Sequence, residues 1–176
     1  MSTPPEWSDD GEVWIVDTGV FVACGREGND KYAALRRLAV SREMRLLVPR
    51  RVYDELGGAP DGSTPQDVPI ERAVEAGWVR VADEPDYTNG TVASVMDSVR
   101  SFVAESSNRA EDEIEKADTA LAGVAVHCLE RRGVSSVRVV TTDRDAGEGA
   151  VTALSAHGFS NRVVYEDGFE LIEAIT

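Results

Sequence analysis

The chain has 176 residues, with 32 Asp and Glu against 18 Lys and Arg and a formal net charge of −14. That length suffices for one well-buried domain and is short for two, and a hydrophobic content of 42% excludes wholesale disorder. No stretch nears the roughly 18 consecutive apolar residues of a membrane span, so no membrane partner is expected.

Residues 1–11 are polar and acidic, with Pro4-Pro5, and lack the basic-then-apolar order of a signal peptide. They read as a loose tail ahead of one domain over 12–176, and a cytoplasmic location is expected. The apolar run Val13 to Val16 reads as a strand that ends at Asp17. Tyr32 to Val40 has a helical rhythm, and Leu46 to Val48 is a short strand. Pro49 suits the first position of a helix that carries Val52, Glu55 and Leu56 on one side and stops at Gly57-Gly58. Ala59 to Val68 reads as a surface loop, Pro69 to Ala76 as a helix, Trp78 to Ala82 as a strand, and Asp83 to Gly90 as a loop. Thr91 to Glu105 and Arg109 to Arg131 read as helices, the second capped by Asn108 with Glu111 in its first turn and closed by Gly133. A strand over Val137 to Thr141, a helix from Gly147 to His157, a strand over Arg162 to Tyr165 and a helical tail complete the chain. Two cysteines, Cys24 and Cys128, have no metal-site spacing and read as reduced, buried thiols.

This alternation implies an α/β fold, three layers deep, with a central parallel sheet of about five strands. Asp17 and Asp143 then stand at the C-terminal ends of buried strands, the edge where open parallel sheets bind ligands. Glu55 shares a helix face with Val52 and is expected to point toward the sheet, leaving Asp54 as the solvated acid. Asp118 falls on the side of its helix marked by Leu121, Ala122 and Ala125, where a lone charge is costly. Asp145 follows Asp143 by two residues and points similarly if the loop is extended. Carboxylates gathered in this way repel one another, and a hard divalent cation relieves that repulsion. With no His or Cys cluster, all-oxygen ligation suits Mg²⁺ or Mn²⁺. His127 lies out of phase with Asp118 and reads as a surface or packing residue; His157 suits a helix C-terminus.

The segments Val13-Trp-Ile-Val-Asp17-Thr18, Val48-Pro-Arg-Arg-Val-Tyr-Asp-Glu55-Leu56, Lys116-Ala-Asp118-Thr and Val140-Thr-Thr-Asp143-Arg-Asp145 resemble the PIN-domain family, with the acids in family order. The resemblance runs from about Val13 to Ile175 and implies the strand order 3-2-1-4-5, which sets the first and fourth strands side by side. It implies a metal-dependent endoribonuclease in which Asp17, Glu55, Asp118 and Asp143 are catalytic. Asp17, Asp118, Asp143 and Asp145 would hold the metal, while Thr18, Thr141, Thr142 and Glu115 orient the ligands. It also implies RNA processing or the role of toxin in a toxin–antitoxin pair, with RNA, an antitoxin protein or a second copy of the chain as partners. The surface for a second copy would be Val92, Val95, Met96 and Val99, unless that face packs on the chain's own sheet. The runner-up is a PIN-like module that binds RNA or protein without cutting.

A charge of −14 ordinarily argues against nucleic acid. Yet only Lys31 and Lys116 are lysines, against sixteen arginines, and such a composition is similar to cytosolic proteins of salt-loving archaea. At 1 M salt the Debye length is about 3 Å, so an acidic surface repels RNA weakly. Arg36, Arg37, Arg42, Arg45, Arg50 and Arg51 form a locally basic strip, a candidate RNA contact. Asp17-Thr18-Gly19 also occurs in aspartic proteases, but those are β-rich folds. A phosphate-accepting receiver would need a lysine after the last strand. No Walker-type phosphate loop is present.

Overall fold

The computed structural model describes residues 11–25, 28–58, 70–114, 116–131 and 134–176. The expectations for the tail before Gly11, for the loop over 59–68 and for the helix end at Gly133 lie outside the described residues. The elements run β1 (Glu12–Val16), α1 (Thr18–Cys24), α2 (Asp30–Ser41), β2 (Leu46–Val48), α3 (Arg50–Tyr53), α4 (Ile70–Ala76) and β3 (Val79–Val81). They continue with α5 (Gly90–Ser107), α6 (Lys116–Leu129), β4 (Ser136–Thr141), α7 (Arg144–Leu154), β5 (Val163–Asp167) and α8 (Gly168–Ile175).

All five strands are parallel, in the order β3-β2-β1-β4-β5. This is the expected three-layer α/β/α architecture. From β1 the chain winds outward through β2 to β3, then returns beside β1 as β4 and continues to β5. The junction of β1 and β4 is therefore the point where the winding reverses, and its C-terminal edge is where open parallel sheets bind ligands.

Both faces of the sheet are buried, which is why β1 is apolar without alternation. Val13 and Ile15 join Val137 and Val139 under α5, α6 and α7. Trp14 and Val16 face the other way, toward Phe21, Leu35, Val52 and Ile172 from α1, α2, α3 and α8. Each such side chain contributes about 1.5–3 kcal/mol by leaving water. Cys24 and Cys128 are free and buried, and burial pushes their thiols up to about 11 and about 12, so both are unreactive.

The local chain departs from expectation in three places. Asn108 does not open a helix: it closes α5 in the left-handed conformation, φ 55° and ψ 41°, which asparagine tolerates. A 3₁₀ turn over Glu111–Glu113 follows, α6 starts only at Lys116, and Glu111 accepts from the Ser101 hydroxyl instead of capping. Second, α7 starts at Arg144, so Asp145 sits in its first turn and not in an extended loop. Third, α3 is a single turn that widens into a π-helical turn over Asp54–Gly58. The wider turn changes the phase after Val52, so Glu55 is exposed and Asp54 half-buried, the reverse of the α-helical expectation. Val92, Val95, Met96 and Val99 are buried within the chain's own core, so that face of α5 is not available to a second copy. His127 is exposed, and a ring nitrogen of His157 bonds the Ala153 carbonyl at the end of α7. Among the described residues no helix is long and apolar enough to cross a membrane.

Candidate metal centre

The site is built where β1 and β4 end. Their register pairs Val16 with Val140, and the ladder runs one residue further, Asp17 N–H donating to the Val140 carbonyl at 3.0 Å. Asp17 thus leaves the sheet at a fixed height and becomes the N-cap of α1, its Oδ1 accepting from Thr18 N–H at 2.8 Å. Its other oxygen, Oδ2, accepts from the Thr141 hydroxyl at 2.9 Å. The same threonine oxygen accepts from Asp143 N–H at 3.1 Å, so one side chain ties both aspartates to the end of β4. Asp143 caps α7 through Ala146 N–H at 3.2 Å and is half-buried.

Glu55 reaches this group from the π-helical turn after α3, where its Oε2 accepts from the Thr18 hydroxyl at 2.6 Å. Asp17 is 8% exposed, and burial raises its carboxyl above the ordinary value. The bonds from Thr141 and Thr18 oppose that rise, while the Glu55 and Asp143 carboxylates add to it. Among the described residues no Lys, Arg or His forms an ion pair with Asp17. Asp118, 7% exposed, lies in the first turn of α6, the helix that packs on β1 and β4. Its burial agrees with the helix-phase expectation, and it is partnered.

Five expected residues are therefore linked directly: Asp17, Thr18, Glu55, Thr141 and Asp143. Thr142 is not among them; it faces Gly19, where a Cβ would stand 2.0 Å from its hydroxyl oxygen. Asp145, half-buried in the first turn of α7, forms no hydrogen bond to the group. Glu115 lies outside the described residues. Among the described residues, no three His, Cys, Asp or Glu side chains stand close enough together to hold a metal ion as they are placed. The hydrogen bonds give the reason. Like charges turn each carboxylate toward its nearest donor, so Asp17 and Asp143 are drawn to helix N-termini and Glu55 to Thr18. The donor set itself, carboxylate and hydroxyl oxygen with a buried acid that has no cationic partner among the described residues, fits a hard divalent ion.

One residue at this edge was not anticipated. Asp167 ends β5 opposite Thr141 in register and caps α8 through Phe169 N–H at 2.9 Å and Glu170 N–H at 3.1 Å. Strand-end aspartates followed by a helix thus occur on three adjacent strands. The apolar run stopping at Tyr165 hid this one, because the strand continues through the polar pair Glu166-Asp167.

The basic strip does not survive as one surface. Arg36 and Arg37 are exposed on α2, and Arg42 and Arg45 precede β2 at the N-terminal edge of the sheet, with Arg42 5.6 Å from the Trp14 ring centre. Arg50 and Arg51 follow β2 at the opposite, C-terminal edge, about 10 Å away across three strand residues. Of the six, Arg50 and Arg51 share the edge with the acids.

A family model described as Halobacterial PIN domain matches residues 10–176. A comparison with curated proteins gives no match.

Proposed function

This chain belongs to the halobacterial PIN-domain family, and on that premise we propose that it is a cytoplasmic, Mg²⁺- or Mn²⁺-dependent endoribonuclease. The observation that carries the reading is Asp17: a buried carboxylate at the end of β1, beside Glu55 and Asp143, with no basic residue paired to it among the described residues. A lone buried charge of this kind costs stability, and a site that retains it is poised for a cation.

In this reading Asp17, Asp118 and Asp143 supply the ligand oxygens, and Asp145 reaches the same region from the first turn of α7. The bound ion would polarise the scissile phosphate and lower the pKa of the attacking water. Thr141 holds Oδ2 of Asp17 and Thr18 N–H holds Oδ1, so the carboxylate is fixed at the strand end and each oxygen would offer its remaining lone pair to the ion. Glu55, exposed and held by one hydroxyl, is the carboxylate freest to take the proton of the attacking water. The water oxygen bonds to phosphorus as the bond to the leaving ribose oxygen breaks.

The test is cleavage of RNA by the purified protein in molar KCl. Cleavage that requires Mg²⁺ or Mn²⁺ and is lost in Asp17→Asn supports the proposal. The second reading, a module that binds without cutting, draws on the absence of three metal-ready side chains among the described residues. Mn²⁺ binding without cleavage of any RNA favours that module, and absence of Mn²⁺ binding sinks the catalytic reading. The cellular role follows from gene context. A small antitoxin gene directly upstream indicates a toxin, and its absence indicates RNA processing.

A further inference from the structure

A cavity of about 40 Å³ lies between β3, an edge strand of the sheet, and the C-terminal half of α6. Arg80 and Asp83 line it from the β3 side, and His127, Cys128 and Arg131 from the end of α6. Arg80 pairs in register with Leu47, so its side chain stands on the sheet face that α6 covers. Cys128 is buried beneath the group. Besides the burial that pushes its thiol up, the charges of Arg131 and Arg80 both act on it, so the two guanidiniums gather over one point. Asp83, His127 and Arg131 are exposed, and the cavity opens to solvent between them. His127 lies nine residues along α6 from Asp118, about 14 Å of helix, which sets this cavity apart from the acidic edge.

On a chain where 32 acidic residues outnumber 18 basic ones, this lining reverses the balance, with two guanidiniums and an imidazole against one carboxylate, Asp83. We propose that the cavity binds one tetrahedral oxyanion, a phosphate either free or at the end of a small molecule. Guanidinium forks match two oxygens of such an ion, and an imidazole N–H adds a donor in either charge state. One water needs about 10–15 Å³ of cavity, so this one admits a small polyatomic ion and not a length of polynucleotide. The carbonyls at the end of α6 would repel an anion, but Arg162 donates to that of Leu129 and offsets them. Salt screens charges inside a cavity less than exposed ones, and chloride, a single atom, cannot use the paired geometry of a fork. This site stands whether or not the acidic edge cuts RNA.

The experiment follows the phosphorus NMR signal of inorganic phosphate, and separately of methyl phosphate, as the full chain is added in molar KCl. EDTA keeps divalent ions from the acidic edge. Inorganic phosphate is expected to broaden and shift as it binds. Arg80→Gln and Arg131→Gln each weaken that binding by about tenfold or more, and lysine at either position recovers little of it. Arg36→Gln, exposed on α2, leaves it unchanged. Methyl phosphate that binds as tightly identifies the occupant as the end of a phosphorylated small molecule, and methyl phosphate that is refused identifies the free ion. Phosphate that does not bind, that binds only when KCl is left out, or that binds both glutamine variants like the parent overturns the inference. Arg80 is then only a charge that guards an edge strand. Should Arg80→Gln unfold the chain, Arg131→Gln, at an exposed position, decides: weakened binding supports the site, and unchanged binding overturns it.

Discussion

Thr141 and Asp17, on neighbouring strands, are joined by a buried hydrogen bond of 2.9 Å from hydroxyl to carboxylate. The threonine oxygen also accepts from Asp143 N–H, so the two strand-end acids share one anchor. This anchor fixes where Asp17 points, and its removal has two separable effects. In Thr141→Val the shape of the side chain is kept, a charged acceptor and a backbone N–H lose their partner, and stability falls by about 1.5–3 kcal/mol in denaturant unfolding. The Asp17 carboxyl rises further, so the acid limb of any metal-dependent RNA cleavage moves to higher pH.

The Asp17 carboxyl itself works against the metal-free fold. Its folded pKa lies above the unfolded value of 3.8, so the folded state holds the proton more tightly and this group stabilises the fold as pH falls into that window. At neutral pH, above both values, the buried charge is a cost. Metal-free Asp17→Asn is therefore more stable than the parent near pH 7, and the difference shrinks on acidification toward 3.8. Urea melts across that pH range check the sign, and a gap that widens in acid contradicts the assignment.

Divalent cations should reverse that cost. At a concentration about 100 times its dissociation constant, a bound ion adds about 2.7 kcal/mol of stability. Thermal melts with and without Mn²⁺ show this in the parent and lose it in Asp17→Asn. Equal shifts in both proteins would place the ion elsewhere.

Gly147 is needed for close approach and not for backbone freedom. Alanine favours a helix by about 0.5–1 kcal/mol over glycine, but the added Cβ meets the Tyr165 ring at 2.3 Å, and forcing a side chain aside costs about 1–3 kcal/mol. Gly147→Ala is expected to lose about 1 kcal/mol or more in chemical unfolding, with a changed near-ultraviolet tyrosine signal. Gly147→Ala combined with Tyr165→Leu recovers most of that loss.

Arg162 closes the far end of α6. Its guanidinium donates to the carbonyls of Leu129 at 2.9 Å, Val134 at 3.0 Å and Ser135 at 3.1 Å. The Leu129 carbonyl is one that a helix end leaves without an internal partner, and those of Val134 and Ser135 belong to the connection ahead of β4. Arg162→Ala should cost about 2–3 kcal/mol in thermal or urea unfolding. Lysine, whose single ammonium cannot span three carbonyls, should recover little of it.

What was legible in the chain depended on local pattern. The run Val13 to Val16 could only be a strand covered on both faces, and the alternation of such runs with helical rhythm implied a parallel sheet. Asp17 and Asp143 stood out because each ends a strand, and Asp118 because helix phase put it among Leu121, Ala122 and Ala125. Phase failed at Glu55, since it assumes 3.6 residues per turn and the chain widens to a π-helical turn at Asp54. It failed at Asn108 for a different reason, because one residue type serves at either end of a helix, as N-cap or as left-handed closure.

Sequence by itself determined the fold class, the acids and their oxygen-only chemistry, since periodicity and residue type are local properties of the chain. Tertiary structure decided which residues share an edge. Of six arginines close in sequence, Arg36 and Arg37 stay on α2, and Arg42 and Arg45 are divided from Arg50 and Arg51 by β2, because a strand carries the chain across the sheet. Thr141 lies 124 positions from the carboxylate it holds, a distance only the pairing of β1 with β4 can close.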